Sequence, residues 1–464
     1  MNKNSINRRD FLSSAAVMGA AGTLGAGTLL ASCGGPKEPP LVPLRPQSEW
    51  NLPADPLPEK AIDGRELKVG LVGCGGQGTG DLINLLRAAD GLTVVALGDT
   101  FPDRINDCRT RLKDRANVEV PDNMCFSGFD SYQKVIEAAD IVLLVTAPFF
   151  RPMHFKAAVE AGKHVFMEKP MGVDAVGARQ VLLSARQAND RGLCIVAGTQ
   201  RHHQRSYNEA YKLVQSGVIG EIVSGNIYWN QSKLWHRDRE PGQTVMEWMI
   251  RDWVNWNWLS GDHIVEQHVH NIDVFNWFSH MLPEKCVGFG ARHRRPTGDQ
   301  YDMFSVDYTY PNGVHVHSMC RQIDGCNNLV GEYIQGTKGS LWTHEGGGGT
   351  AIISDLKGNE VWKWDVEKER EEYSQTGSGV LQLANWVDRI RKNQPINQAT
   401  ETAESTLTAI MGRQSAYTGA EVTWEQIMAS DMDLTPNELA LVNLDVSQYP
   451  VPVPGRATQP RGPR

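Results

Sequence analysis

Three groups of residues have types and spacings that could do chemistry. Gly73-Cys74-Gly75-Gly76-Gln77-Gly78 is a Gly-x-Gly-x-x-Gly loop. In such a loop Gly73 permits a tight turn, and Gly75 lets the main chain, continued by Gly76 and Gln77, approach a diphosphate. Gly78 lets the following helix pack closely, so that its amide end faces the negative charge. Asp99 follows Gly78 by 21 residues. A carboxylate there accepts hydrogen bonds from adenosine ribose hydroxyls and repels a 2′-phosphate, which predicts NAD rather than NADP. Second comes Glu168-Lys169-Pro170. A lysine can handle a substrate proton once burial or a neighbouring cation lowers its pKa, and the position of Lys169 beside a dinucleotide loop favours that role over a surface ion pair. The third group lies in 261–273. At about 100° per residue, His263, Glu266 and His270 share one helical face with Asp273 near it, whereas His268 falls off that face and reads as structural. Acid–base work and substrate binding suit that face. The same His-x-x-Glu-x-x-x-His spacing could hold zinc or manganese with one more ligand, and a core helix with satisfied histidines has the same pattern. No metal is assigned, because the glycine loop already provides for a redox cofactor.

Six tryptophans, 229, 235, 248, 253, 256 and 258, crowd one stretch, with Lys233, His236, Arg237, Arg239, Arg251 and Asp252 between them. Flat apolar rings with hydrogen-bonding neighbours suit the faces of a pyranose. An aromatic core or a subunit interface would use the same composition. Trp235 and Trp253 are taken as substrate contacts, as is Arg201.

The elements that must position these groups follow from periodicity. Apolar runs at Glu66–Val72, Thr93–Leu97, Asp140–Val145, His164–Met167 and Cys194–Ala197 alternate with helical patterns at Asp81–Ala89, Met153–Ala161 and Ala175–Asp190. Strands alternating with helices predict a doubly wound parallel sheet, whose ligands sit beyond the strand carboxyl ends. Gly73, Asp99, Thr146 and Lys169 all fall at such ends. Further on, 222–229, 301–310, 314–320 and 329–334 read as strands, several of alternating polarity.

The chain has 464 residues, 41% hydrophobic and 22% charged, with a net charge of −8. That composition is globular, and without a basic run it argues against a nucleic-acid surface. Arg8-Arg9-Asp10-Phe11-Leu12 precedes an uncharged stretch to Ala31 and resembles a twin-arginine signal, which exports proteins already folded. Leu30-Ala31-Ser32-Cys33 resembles a bacterial lipobox, which implies lipidation of Cys33 and a membrane-anchored lipoprotein on the periplasmic side. Pro- and Gly-rich sequence then reads as a tether. Of eight cysteines, removal of Cys33 leaves an odd seven, with no Cys-x-x-Cys pair, so neither a disulfide framework nor a cysteine-built zinc site is expected.

The combination resembles the glucose–fructose oxidoreductase and inositol 2-dehydrogenase (Gfo/Idh/MocA) family. The residues that carry the resemblance are the glycine loop, Thr146-Ala147-Pro148 with His154, Glu168-Lys169-Pro170, His270-Asn271-Ile272-Asp273, Gly336-Thr337-Lys338-Gly339, and Ser415–Gly419 with Thr423-Trp424. It covers roughly residues 66 to 430. It implies an α/β chain in which a Rossmann doubly wound sheet is followed by an α+β domain with a large open, mostly antiparallel sheet. One face of that second sheet often makes an oligomer contact, so a homo-oligomer, dimer or tetramer, is expected. The resemblance also implies that Thr146, Pro148, His154 and Glu168 border the cofactor and that Lys169 reaches the substrate hydroxyl. His270 would take the hydroxyl proton, and Glu266, four residues before it, would touch the substrate in place of the family's more frequent Asp.

The expected organisation is a signal at 1–32, a tether at 33–65, the NAD-binding domain at 66–198, a substrate-binding and oligomerisation domain at 199–435, and a Pro-rich tail at 436–464. The expected function is an exported NAD-dependent oxidoreductase acting on a ring hydroxyl of a sugar or glycoside, with C3 of a glucoside preferred. Export separates the protein from free NAD, so the cofactor should be tightly held and recycled in place. Three alternatives share these residues: an NAD-dependent glycoside hydrolase with transient oxidation, a metal-dependent lyase or hydrolase, and a non-catalytic sugar-binding lipoprotein.

Overall fold

The computed structural model describes residues 50–344, 349–436 and 438–455. The export signal and Cys33 lie outside the described residues. The first sheet is built by β1 (Leu67–Val72), α1 (Gly76–Ala88), β2 (Leu92–Asp99), α2 (Pro102–Ala116), β3 (Cys125–Ser127), α3 (Ser131–Ala138), β4 (Ile141–Leu144), α4 (Arg151–Glu160), β5 (His164–Met167), α5 (Ala175–Asp190) and β6 (Ile195–Ala197). Its six strands run parallel in the order β3-β2-β1-β4-β5-β6. The central strands are covered on both faces, which is why β4 is an unbroken apolar run, buried throughout. The order reverses between β1 and β4, and the cleft described below opens at that switch point.

The helix after the glycine loop begins at Gly76, five residues before the apolar spacing that signals it. Its first turn is glycine-rich and carries no periodic signal, and no side chain caps it. The free N–H groups of that turn therefore remain available to a ligand.

The second sheet follows α6 (Arg205–Gln215). Its first strand is β7 (Ile222–Gln231), followed by α7 (Val245–Arg251), α8 (Asn257–Ser260), α9 (His263–Glu266) and α10 (Val269–Ser279). Then come β8 (Lys285–Ala291), β9 (Met303–Tyr310), β10 (Val314–Gln322), β11 (Leu329–Gly336), β12 (Gly339–His344), β13 (Thr350–Asp355) and β14 (Glu360–Lys363). The chain closes with α11 (Val366–Glu372), α12 (Ser378–Arg391), α13 (Ala399–Thr418), β15 (Val422–Thr423) and α14 (Trp424–Ala429). The nine strands are ordered β14-β13-β12-β11-β7-β10-β9-β8-β15, antiparallel except for the parallel pair β7–β10. Helices α10 and α13 cover one face. The other face leaves Val287, Phe289 and Met303 exposed.

Three segments pack differently from their sequence reading. Residues 378–397 join the core of the first sheet, where Leu383, Trp386 and Val387 of α12 pack with Leu67 and Leu85. Truncating a side chain as completely buried as Trp386 costs about 3–5 kcal/mol. Residues 50–65, read as the end of a tether, lie against the body. Trp50 stacks on His280 at 5.5 Å, and the Asn51 amide donates to Glu401 at 2.8 Å. The tail also returns to the body, where Tyr301 donates to the Pro452 carbonyl at 3.0 Å and Tyr449 is buried against Trp256. The seven described cysteines are free. Among the described residues no helix is long and apolar enough to cross a membrane.

Candidate active site

A cleft of about 770 Å³ lies along the carboxyl ends of β1, β2, β4 and β5 and extends under the loop after β7. Gly73, Gly75, Gly76, Gln77, Gly78, Asp99, Thr146, Pro148, His154, Glu168, Lys169, Trp235, Trp253, Glu266 and His270 all line it. The tight turn at Gly73 has φ of 100°, and a Cβ there would sit 2.6 Å from the Val145 carbonyl group. At Gly78 a Cβ would meet the Gly73 oxygen at 1.9 Å, so the helix can approach the loop only without one. The positions therefore match what a diphosphate cradle needs, and the residues present fit a dinucleotide.

Asp99 ends β2 and is buried. Its Oδ2 accepts from the Cys74 amide at 2.8 Å and its Oδ1 from the Phe101 amide at 3.0 Å. Burial raises its pKa, while these amides and the Arg104 guanidinium pull it back down. The carboxylate thus fixes the glycine loop as well as facing the cleft. Beyond β4, Thr146 Oγ1 and His154 Nδ1 lie 3.3 Å apart, and the imidazole stacks on Tyr132 at 4.4 Å. Burial and the Arg151 charge hold the His154 pKa down at about 3, so it is a neutral wall.

Arg151, absent from the sequence reading, ties the strand tips together. Its guanidinium donates to the carbonyls of Leu144 at 3.0 Å, Thr146 at 3.1 Å and Pro170 at 2.8 Å. Burial lowers its pKa to about 10, which leaves it charged. Position 151 opens a helix four residues after a strand-end Ala-Pro, and nothing in its spacing marks it as buried.

Lys169, at the tip of β5, points across the cleft. Its Nζ donates to Glu266 Oε1 at 2.9 Å and to the Glu266 carbonyl. Glu266 Oε2 accepts from the Gln267 amide at 2.6 Å. The neighbouring Glu168 carboxylate accepts from the Lys169 amide at 3.1 Å, and burial raises its pKa. His270 stands beside this pair with its ring stacked on Trp229 at 5.4 Å and 18°. Burial, then the charges of Lys169 and Arg201, push its pKa well below the ordinary histidine value. A neutral, buried imidazole beside the Lys169–Glu266 pair can accept a hydrogen bond from a hydroxyl placed between them.

The single helical face expected for His263, Glu266 and His270 does not form. Asp262 adopts φ of 70° and caps α9, accepting from the His263 amide at 2.6 Å and facing His263 Nδ1 at 3.0 Å. Helix α9 ends at Glu266, and α10 starts afresh at Val269. The break leaves Glu266 and His270 in the cleft and packs His263 against Phe304, away from it. His263 is therefore corrected from substrate contact to core residue. Asp273 pairs with His202 at 2.6 Å, and His268 with Ser318 at 2.7 Å. Arg201 is also corrected. It is buried outside the cleft, paired with Glu332 at 3.0 Å, with its guanidinium 5.5 Å from the Trp229 ring. Among the described residues no group of three or more metal-ligating side chains comes together.

Of the tryptophans, Trp256 and Trp258 belong to the core, Trp229 backs His270, and Trp235 and Trp253 form an edge-on pair at 6.2 Å over the cleft. Core and cleft were both compatible with the spacing, and the chain uses the cluster for both.

Comparison with known proteins agrees with the two-sheet fold. Residues 67–197 match the model described as "Oxidoreductase family, NAD-binding Rossmann fold", and 207–342 match the "GFO/IDH/MocA C-terminal domain". Residues 5–25 match the twin-arginine translocation signal, which marks the chain for export. An inositol 2-dehydrogenase of Burkholderia lata is 26% identical over 232 residues, 48% of this chain and 63% of that protein. One of Klebsiella pneumoniae is 27% identical over 215 residues, 46% of this chain and 54% of that protein. The chain thus spans between about half and two thirds of the curated relatives it matches. An aldose-aldose oxidoreductase of Caulobacter crescentus, solved with glycerol, superposes with a TM-score of 0.60 at 17% identity, covering 77% of this chain and 100% of that one. A levoglucosan dehydrogenase solved with NADH and levoglucosan gives a TM-score of 0.63 at 15% identity, covering 77% and 99%. These two share the fold. With both family models matched in order over more than half its length, and a glycine-loop cleft meeting Lys169, the chain belongs to the Gfo/Idh/MocA oxidoreductase family.

Proposed function

We propose that this protein oxidises or reduces a ring hydroxyl of a sugar or glycoside with a nicotinamide dinucleotide, NAD in preference to NADP. The preferred substrate position is C3 of a glucoside. The observation that carries this reading is that the glycine-loop groove and the Lys169–Glu266–His270 group open into one cleft.

When bound, the dinucleotide supplies the hydride acceptor or donor at its nicotinamide ring. The chain supplies the rest. Lys169 is held by Glu266 so that its remaining N–H bonds can orient the substrate hydroxyl. Lys169 and His270 together manage the hydroxyl proton as the carbon loses hydride, and return it in the reverse direction. Trp235 and Trp253, which line the cleft, cover the apolar face of the ring. Glu168 and Arg151 hold the β4 and β5 tips, and with them Lys169, in place.

Export, which separates the protein from free NAD, supports a cofactor that is held tightly and recycled by a second sugar or by the same substrate later in the cycle. Cys33 would carry the lipid that anchors the protein on the periplasmic side. The open sheet face around Val287, Phe289 and Met303 would make the homo-oligomer contact. The test is denaturation of the purified protein followed by nucleotide chromatography. About one equivalent of NAD or NADH per chain is expected. Release of no dinucleotide would remove the retained-cofactor part of this reading.

A further inference from the structure

Arg251 ends α7, and Asp103 lies in the first turn of α2. Their side chains meet across 148 positions of sequence as a two-point fork. Arg251 Nη1 donates to Asp103 Oδ2 at 2.9 Å, and Nη2 donates to Oδ1 at 3.0 Å. The guanidinium also lies 3.8 Å from the centre of the Phe101 ring, and its Nε donates to Glu247, one turn back on α7, at 3.0 Å. All three guanidinium nitrogens are thus engaged in one orientation. A planar, bidentate and stacked arrangement of this kind is the case in which a solvent-accessible ion pair holds its geometry. The bonds from Arg251 hold the Asp103 pKa below its ordinary value, so the pair stays ionised at neutral pH.

The pair stands at the edge of the cleft. Its side chains are 21% and 58% exposed, and neither lines the cavity. The residues around each partner do line it: Asp99, Phe101 and Arg104 from the glycine-loop side, and Ile250, Trp253 and Val254 from α7 and the turn after it. Phe101 and Ile250 also belong to one apolar cluster. A seam that is apolar inside and ionic at its outer edge therefore joins the two sides. Each side is tied further inward. The Phe101 amide donates to Asp99 Oδ1, and Asp99 Oδ2 holds the Cys74 amide of the glycine loop. Across the seam, the Trp248 indole of α7 donates to the Arg237 carbonyl at 2.7 Å, and the Arg237 amide donates to Asp252 at 2.7 Å. These bonds hang the loop that carries Trp235 on α7.

The geometry points to a clasp: Arg251 and Asp103 keep this seam shut beside the glycine loop, and the seam must part for a dinucleotide to enter or leave. The inference deepens the proposed function and rests on its dinucleotide reading. It makes retention of the cofactor a matter of slow release. Because neither side chain lines the cleft, the bond between them is the same with the groove filled or empty. Breaking it therefore favours the open form equally in both states, so entry and exit speed up together and affinity stays where it was.

The test measures nucleotide exchange in the full-length protein. Protein loaded with NADH is mixed with a large excess of NAD+, and the loss of bound-NADH fluorescence gives the release rate. Nucleotide-free protein mixed with NADH gives the entry rate. Asp103→Asn and Arg251→Met are each expected to raise both rates by about fivefold or more, with the NADH dissociation constant held within about threefold. The double variant should be no faster than the faster single one, because the two residues make one contact. Arg251→Lys, which keeps the charge but loses the fork, should fall between wild type and Arg251→Met. A second measurement compares salt dependence. Raising ionic strength from about 0.05 to 0.5 M should speed release from the wild type more than from the double variant. Unchanged rates in both single variants, even with a lowered melting temperature, would overturn the clasp and leave a surface ion pair. Faster release with unchanged entry and weaker affinity would overturn it too, as would additive effects in the double variant. If the wild type takes up no dinucleotide, the dinucleotide reading fails and the clasp with it. If it binds NADH and the variants exchange it at the wild-type rate, only the clasp fails.

Discussion

Lys169 Nζ and Glu266 Oε1 meet at 2.9 Å although the two residues are 97 positions apart, and their side chains are only 11% and 9% exposed. The contact joins the tip of β5 in the first sheet to the end of α9 beside the second. Both residues line the cleft.

Removing one partner of so enclosed a pair leaves the other charge buried. Lys169→Met and Glu266→Leu should each lower stability by about 3–5 kcal/mol, while the double variant recovers most of the loss. Thermal or denaturant unfolding of the three variants checks this. Additive losses would mean that the pair is not the coupled unit the geometry indicates.

The Lys169→Met variant should also lose activity out of proportion to binding. A fall of about a hundredfold or more in kcat, with dinucleotide affinity within about threefold, is expected of a residue that handles the substrate proton. A change in KM alone, with kcat intact, would assign Lys169 to substrate binding only.

Asp99 lines the cleft at the glycine loop, and the proposed reading puts the adenosine ribose beside it. Asp99→Ser keeps an acceptor for the Cys74 amide but removes the charge. NADP affinity relative to NAD should rise by about tenfold or more, measured by titration with each dinucleotide. An unchanged ratio would place discrimination elsewhere in the groove.

His203 is buried with its pKa held down at about 3, first by burial and then by His202. In the unfolded chain the imidazole titrates near its ordinary 6.5. Between these values the unfolded state binds the extra proton, so stability is lost as pH falls through about 6.5 and continues to fall towards 3. His203→Gln should flatten the pH dependence over pH 4–6 by about 1.4 kcal/mol per unit. Parallel unfolding curves for variant and wild type would show that the imidazole is protonated in the fold.

Trp235→Ala and Trp253→Ala should raise KM for a glycoside with little effect on stability. Trp256→Ala, from the same sequence cluster, should cost about 3–5 kcal/mol and leave KM unchanged. Initial rates and melting curves separate the two behaviours. Equal stability losses at all three positions would mean that the pair over the cleft is core.

Much of this could be read from the chain itself, because local rules govern those parts. The Gly73–Gly78 loop between a strand and a helix, the apolar run of β4, and Lys169 at a strand tip each depend on residues adjacent in sequence. The Glu266–His270 spacing was informative for a different reason than helical periodicity supplies. A capped turn at Asp262 and a break before Val269 place those two in the cleft and His263 out of it, and the φ of 70° at Asp262 has no signature in composition. Arg201 looked like a pocket residue because it follows β6, but its partner Glu332 comes from β11. The burial of Arg151 and Trp386 likewise depends on tertiary contacts. Residues 50–65 and 438–455 resemble linkers in composition and yet pack, since Trp50 and Tyr449 find partners far away in the chain.

The central claim is that one cleft joins a nicotinamide dinucleotide to a carbohydrate hydroxyl beside Lys169. The most direct measurement mixes the purified wild-type protein, resupplied with NAD, with glucosides and other sugars while the absorbance of reduced nicotinamide is followed, with Lys169→Met in parallel. The account predicts a stoichiometric rise with at least one sugar for the wild type and none for the variant. Nucleotide bound at one equivalent with no spectral change for any sugar, or an equal rise in the variant, would contradict it.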